Sequence, residues 1–285
     1  MAWKHLRPTI WMVDNGSTDS SADIVSRQCP DTHVIRNPIN LGFAGGTNKG
    51  IVQALAEEDA PILLLNNDAF VAERDVIRLL DTLSGDNRIG CIGPLLFDAE
   101  QQDKLLSAGG RNPVLHHHGH ILKLPVDETV SFVEYVPGTV IIVRADVFHA
   151  VGLLDEEYFF GVEVADLCMR AGKQGYLSAI DARARATHTL GRSSHLRETL
   201  HTYYIIRNRF LFIPKFHRNL KFLLYGVWAL YSVALSLKVY LEGKPAMAQA
   251  VHLGLRDGLQ GRFGGQNERV LAACAKSVDR LPSPR

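Results

Sequence analysis

The sequence predicts an α/β fold with a mainly parallel central sheet, followed by a helical carboxyl-terminal region. Three observations carry this. Short apolar runs alternate with amphipathic helical segments over the first two-thirds of the chain, the rhythm of strands joined by crossover helices. The runs TIWMV (9–13) and PILLL (61–65) stop abruptly at the polar clusters DNGS (14–17) and NND (66–68), as strands do at the edge of a sheet. Beyond about residue 195 the strand-like runs give way to aromatic, basic and uncharged stretches. The expected division is 1–195 and 196–285.

Composition narrows the class. Hydrophobic residues make up 46% and charged residues 21%, a globular balance that excludes wholesale disorder. A net charge of +1 gives no basic field for nucleic acid, so none is expected as a partner. Cys29, Cys91, Cys168 and Cys274 form no CxxC pair or zinc spacing and read as reduced, buried thiols of a cytoplasmic protein. The amino terminus has no uninterrupted apolar core or cleavage site, so it is not read as a secretion signal.

Taken in order, strand 9–13 ends in a turn, and a helix follows over 19–27 with Ser17 or Asp19 as cap. HVIRN (33–37) is a second strand. Asn40–Gly46 reads as a glycine-rich loop and 48–58 as a helix. PILLL is apolar throughout, as for a strand covered on both faces. A helix over 75–83 and a strand over 89–94 come next. From 95 to 135 the pattern loosens; His116, His117, His118 and His120 lie there and read as a solvated loop rather than a metal site. Order returns with a strand at 139–143, a helix from about 144, a helix from about 163 and a strand at 176–180. Further on, residues 222–237 carry no charge. That run falls short of the roughly 20 residues of a membrane span. It fits a buried helix equally with a helix lying on a membrane, its basic flanks near anionic lipid. Residues 262–285 are Gly-, Ala- and charge-rich, with a loosely ordered end expected.

The chemistry lies in polar residues at strand ends and helix starts. Asp14 and Asn15 follow one strand; Asn66 and Asp68 follow another. Glu163 and Asp166 share one helical face, and His188 follows a late strand. Each has an ordinary reading: a turn residue, a first-turn acid, a surface histidine. Their joint order is what those readings do not explain.

The segments VDNGSTDSS (13–21), NLGFAGGTNKG (40–50), LLLNNDAFV (63–71), VPGTVIIVRADVF (136–148), GLLDEEYFFGVEVADLCMRAGKQGY (152–176) and THTLGRSS (187–194) together resemble the successive motifs of family 2 glycosyltransferases, in the bacterial rhamnosyltransferase-like branch. The resemblance implies a GT-A fold, a UDP- or dTDP-linked sugar donor, Mg²⁺ or Mn²⁺, and a saccharide or lipid-linked acceptor in bacterial cell-envelope polysaccharide synthesis. The expected location is the cytoplasm, with the basic, apolar carboxyl-terminal run as the feature that would bring the protein peripherally to the inner face of the plasma membrane. It implies nucleotide contacts from Asp14 and Asn15, from Asn40, Gly42, Gly45 and Asn48, and from Asn66. It implies metal contacts from Asp68 and His188, and a catalytic base, for which Glu163 is the first candidate and Asp166 the second. The family motif Glu-Asp-x-Asp is here Glu163-Val164-Ala165-Asp166, with Val164 where relatives carry an acid. The family also begins with a strand and a Thr-Tyr-Asn-like segment that this chain does not show ahead of Asp14, so an incomplete donor pocket is expected. Both departures give an alternative: an inactive binding or scaffolding subunit of the same fold. A third reading, a dinucleotide-binding protein, is disfavoured because GFAGGTNKG lacks the GxGxxG spacing.

Overall fold

A computed structural model describes residues 3–117, 119–124, 129–189 and 195–278. The chain forms two compact units, Met1–Asp155 with Val164–Gly191, and Glu156–Glu163 with Arg192–Arg285.

The first unit runs β1 (Ile10–Asn15), α1 (Ser21–Gln28), β2 (Thr32–Asn37), α2 (Gly42–Glu57), β3 (Ile62–Leu65), β4 (Ala69–Val71), α3 (Glu73–Gly85), β5 (Ile89–Asp98), β6 (Leu105–Ser107), β7 (Val130–Val133), β8 (Val140–Val143), α4 (Ala145–Val151), α5 (Glu163–Lys173) and β9 (Leu177–His188). The first residue of α5 belongs to the second unit. β1 and β2 form a parallel pair of their own. The other strands form a seven-stranded sheet in the order β3-β8-β5-β9-β4, with β6 on β5 and β7 on β9.

The expected mainly parallel sheet is corrected here. Only β1/β2 and β5/β9 run parallel; β3/β8, β5/β8, β4/β9, β5/β6 and β7/β9 are antiparallel. The cause is β8 and the short strands β4, β6 and β7. The latter hold three or four residues each, too few for periodicity to register, and lie partly in the stretch read as loop.

β5 is buried along its whole length and divides two apolar layers. On one side Ala44 and Ile51 of α2, Val147 and Phe148 of α4, and Leu167 and Ala171 of α5 pack with Cys91, Leu95 and Ile141. On the other, Val76, Leu79 and Leu83 of α3 pack with Ile92, Leu96 and Ala186. β3 departs from its expected double coverage: Leu64 is buried, Ile62 and Leu63 are half-buried and Leu65 is exposed. β3 is an edge strand, bonded to β8 alone among the described residues.

α2 begins at Gly42, so the stretch Asn40–Gly46 read as a loop is mostly helix. Helix propensity argues against glycine there; packing overrides it. A Cβ at Gly46 would stand 2.9 Å from the Asn15 amide and one at Gly50 3.3 Å from Val13. The glycines let α2 lie close on β1.

The second unit is helical. It contains α6 (His195–Phe216), α7 (Lys221–Leu241), α8 (Pro245–Gln260) and α9 (Asn267–Val278), with a core of Phe159, Tyr203, Tyr204, Leu253, Val270 and Cys274. Small residues bring α8 onto α6: a Cβ at Gly254 would sit 2.7 Å from the Tyr203 carbonyl. α9 lies within the Gly-, Ala- and charge-rich stretch, and the last residues, 279–285, for which loose order was expected, lie outside the described residues. Three cysteines are buried and free as expected, whereas Cys29 is free but exposed.

Candidate active site

The carboxyl ends of β1 and β2 meet in one hydrogen-bonded hub. Asn15 Nδ2 donates to Gly42 O (2.8 Å) and to Asn40 Oδ1 (3.1 Å), while Asn15 Oδ1 accepts from Asn37 Nδ2 and from Leu41 N, both at 3.1 Å. Asn40 Oδ1 also accepts from Gly42 N at 2.8 Å. Gly42 has φ +76°, which suits glycine far better than a residue with a side chain. Asn15, Asn40 and Gly42 are thus brought together, and their side-chain groups hold the chain reversal that starts α2. Asp14 sits one residue earlier, half-buried, with Oδ1 accepting from Ser17 N at 3.0 Å.

Asn48 departs from its expected nucleotide contact. It is buried inside α2 and grips the backbone of Leu154: Nδ2 donates to Leu154 O (2.9 Å) and Oδ1 accepts from Leu154 N (3.0 Å). The helical start of α2 turns Asn48 toward the core, so it ties α2 to the loop beyond α4. Gly45 is likewise buried within α2.

Asn66 and Asp68 occupy the turn from β3 to β4. Asn66 N donates to Thr139 O (3.0 Å), and Asn66 O closes the turn by accepting from Ala69 N (3.1 Å). β4 then pairs with β9 so that Ala69 stands opposite His188. That register sets His188 Nε2 3.0 Å from Asp68 Oδ1, across 120 positions of sequence, and Thr189 N donates to Asp68 O (3.0 Å). The two side chains expected to hold a metal are adjacent. A carboxylate oxygen and an imidazole nitrogen suit Mg²⁺ or Mn²⁺ when phosphate and water supply the remaining ligands. Among the described residues no cluster of three or more such donors occurs. The histidine-rich loop holds no such cluster either: His116 Nε2 lies 3.9 Å from a Glu134 carboxylate oxygen, His120 Nδ1 lies 3.0 Å from Ser107 Oγ, and His118 lies outside the described residues, as do the last motif residues, 190–194.

Asp166 is fully buried and pairs with Arg170 Nε at 2.6 Å. Arg170 also donates to the carbonyls of Val151 and Leu153. The shared face with Glu163 therefore serves a structural tie from α5 to the loop that Asn48 holds. Between them Val164 packs on Gly138, whose hypothetical Cβ would lie 2.7 Å from Val164 Cγ2. Val164 is thus a core residue.

Glu163 is buried at the start of α5, in the second unit. The four residues before it are bent: Phe159, Gly161 and Val162 have φ of +61°, +79° and +80°. For valine this region is a true outlier, costing roughly 1–3 kcal/mol. Two adjacent α6 side chains hold the bend. Arg207 donates to Tyr158 O (2.8 Å), Glu157 O (3.1 Å) and Gly264 O (2.6 Å). Asn208 Nδ2 faces the carbonyls of Tyr158, Phe160 and Gly161 at 3.1, 2.9 and 2.7 Å. Burial pushes the Arg207 guanidinium pKa below its ordinary value, and Tyr204 lies under it at 4.7 Å. No motif points to this pair; the local signal is an Arg-Asn step inside the aromatic run YYIIRNRFLF (203–212).

The description "Glycosyl transferase family 2" matches residues 2–118. The N-acetylglucosaminyl-diphospho-decaprenol L-rhamnosyltransferase of Mycobacterium tuberculosis is 26% identical over 234 residues, 73% of this chain and 75% of its own length. The amino-terminal part of the chain thus matches glycosyltransferase family 2, and over about three-quarters of its length the chain is similar to a rhamnosyltransferase. The dTDP-rhamnosyl transferase of Shigella flexneri is 24% identical to this chain, covering 72% of it and 71% of itself. The mannosyltransferase of Pyrobaculum calidifontis, solved with GDP-Man and Mn²⁺, superposes with a TM-score of 0.51 over 94% of this glycosyltransferase and 70% of its own chain, at 14% identity. The fold is thus GT-A: helices on a mixed central sheet, with helices added at the carboxyl terminus.

Proposed function

We propose that the chain transfers a sugar, rhamnose foremost, from a UDP- or dTDP-linked donor to a saccharide or lipid-linked acceptor of a cell-envelope glycan, with inversion and with Mg²⁺ or Mn²⁺. The observation that carries this reading is the Asp68–His188 pair at 3.0 Å, a carboxylate and an imidazole set side by side by the β4–β9 register. What the cation supplies there, when bound, is positive charge against the diphosphate leaving group.

In this proposal Asp14 holds the nucleotide base, and the hub around Asn15 fixes the wall on which Asp14 stands. Asn66 sets the turn that presents Asp68. Glu163 accepts the proton of the acceptor hydroxyl. The acceptor oxygen bonds to the anomeric carbon, the bond from that carbon to the phosphate oxygen breaks, and its electron pair leaves on the nucleoside diphosphate. Asp166 positions α5 through Arg170 and takes no proton.

Calorimetric titration with dTDP-rhamnose and UDP-sugars, with and without Mn²⁺, tests this reading. Expected is metal-dependent binding that Asp68→Asn weakens by about ten- to a hundredfold. Absence of binding by every donor in Mn²⁺ would overturn it.

One observation favours a second reading, a binding subunit without catalysis: Val164 is packed in the core where family relatives carry an acid. Under that reading a donor still binds, but no sugar reaches any acceptor and Glu163→Gln changes nothing.

A further inference from the structure

α7 is apolar, yet its apolar side is on the outside. Within Arg218–Leu241 the most apolar 18-residue window has a mean hydropathy of 1.6, and only 17% of it is buried. Leu224, Trp228 and Ser232, spaced by four, make its buried edge. That edge rests on the neighbouring helices: Arg209 of α6 lies over the Trp228 ring at 3.9 Å, Tyr225 Oη donates to Phe210 O (2.8 Å), and Ser236 Oγ donates to Ala248 O of α8 (3.0 Å). On the opposite side Phe222, Leu223, Leu230, Val233, Leu237 and Leu241 are exposed, Phe222 by 86%, Leu230 by 75% and Leu241 by 76%. Their spacing puts them in one stripe along the helix, about 30 Å long. A contiguous apolar surface of that extent marks an interaction site.

Charge identifies the occupant. The stripe itself is uncharged and flanked by cations: Arg218 and Lys221 before it, Lys238 beside its last turn and Lys244 after it, while Lys215 lies over the Tyr158 ring at 4.8 Å. The acid in this region, Glu242, lies between Lys238 (3.9 Å) and Lys244 (3.6 Å). Apolar residues flanked by cations match a bilayer with anionic headgroups, whose acyl region takes the stripe and whose surface takes the lysines. A crossing of the bilayer does not fit, because α6 and α8 are packed along α7. They would carry Arg207, Asn208, Arg209 and Asp257 into hydrocarbon, at high cost.

We propose that α7 docks this protein on an anionic membrane surface, lying in the plane of the interface with Phe222, Leu230 and Leu237 in the acyl region. The proposal stands apart from the transfer chemistry.

Flotation of the full chain with vesicles tests it. Phosphatidylcholine vesicles containing 30% phosphatidylglycerol should carry the protein, with pure phosphatidylcholine carrying much less, about fivefold less partitioning for each basic side chain removed, and loss at high salt. Leu230→Glu with Leu237→Glu should abolish flotation while circular dichroism and melting stay unchanged, because both side chains are solvent-facing. As a second measurement independent of that variant, an environment-sensitive dye on Leu230→Cys, in a Cys29→Ser background, should shift to the blue on adding anionic vesicles. No flotation with anionic vesicles, an unshifted dye, or a dimer in solution that the double substitution dissolves would each overturn the proposal.

Discussion

Glu163 follows a valine at φ +80° and two α6 side chains that take up the carbonyls of the bend before it. The consequences of changing the acid and of changing its support differ. Glu163→Gln keeps size and packing and removes only proton acceptance, so kcat should fall by about 10²–10⁴ with donor affinity unchanged, read by pre-steady-state transfer beside calorimetry. Arg207→Met instead strips donors from three backbone carbonyls in a buried setting. At about 1.5–3 kcal/mol for bonds to a charged group, it should lower the denaturant midpoint of the chain. Arg207→Lys should rescue little of that loss, since an ammonium cannot reproduce the planar fork. Asp68→Asn and His188→Gln act on a third property, metal-linked donor affinity, and should leave the melting temperature close to that of the parent, because neither side chain belongs to the apolar core.

At the scale of elements, the amino-terminal segment ahead of β1 is fastened to the first turn of α3. Lys4 N and Leu6 N donate to Glu73 at 2.8 Å, and His5 N at 2.5 Å. Partial desolvation would raise the Glu73 pKa, but these three backbone bonds outweigh it and hold the carboxyl at about 2, below its ordinary 4.5. A depressed folded pKa stabilises the native contact above about 4.5, and that contribution drains away as pH falls toward 2. Trp3, packed beside Leu6 on the α3 layer, should therefore redden in emission across that interval, and Glu73→Gln should give the reddened spectrum already at pH 7. Elements with strong periodicity were legible without coordinates: β1, α1, β2, α3, β8 and the start of α5 stand within about two residues of their expected places. The start of α2 was not, because glycine content argues for a loop unless the approach of β1 is known. β4 was not, because three residues carry no pattern, and with it went the register that joins His188 to Asp68. Those two residues were named by motif order; their adjacency is a product of strand pairing that no local signal encodes. Asn48 shows the reverse: its motif position was clear, but the helix turns it inward onto Leu154.

For the molecule as a whole, the residues proposed to meet the donor are divided between two sheets of the first unit. Asp14 and Asn15 end β1 in the two-stranded sheet, whereas Asp68 and His188 belong to the seven-stranded one. Among the described residues no ladder bond joins the two; α2 packs against both. Removing the hub should therefore weaken the smaller sheet first. Asn15→Ala should raise hydrogen exchange in β1 and β2 while β5, buried throughout, keeps its protection. A nucleoside diphosphate held by Asp14 at one end and by Asp68 at the other would act as a strut between two separately opening bodies. Its arrival should slow exchange in β1 and β2 far more than in β5, so that a substrate does for this backbone what a cross-strand ladder does elsewhere.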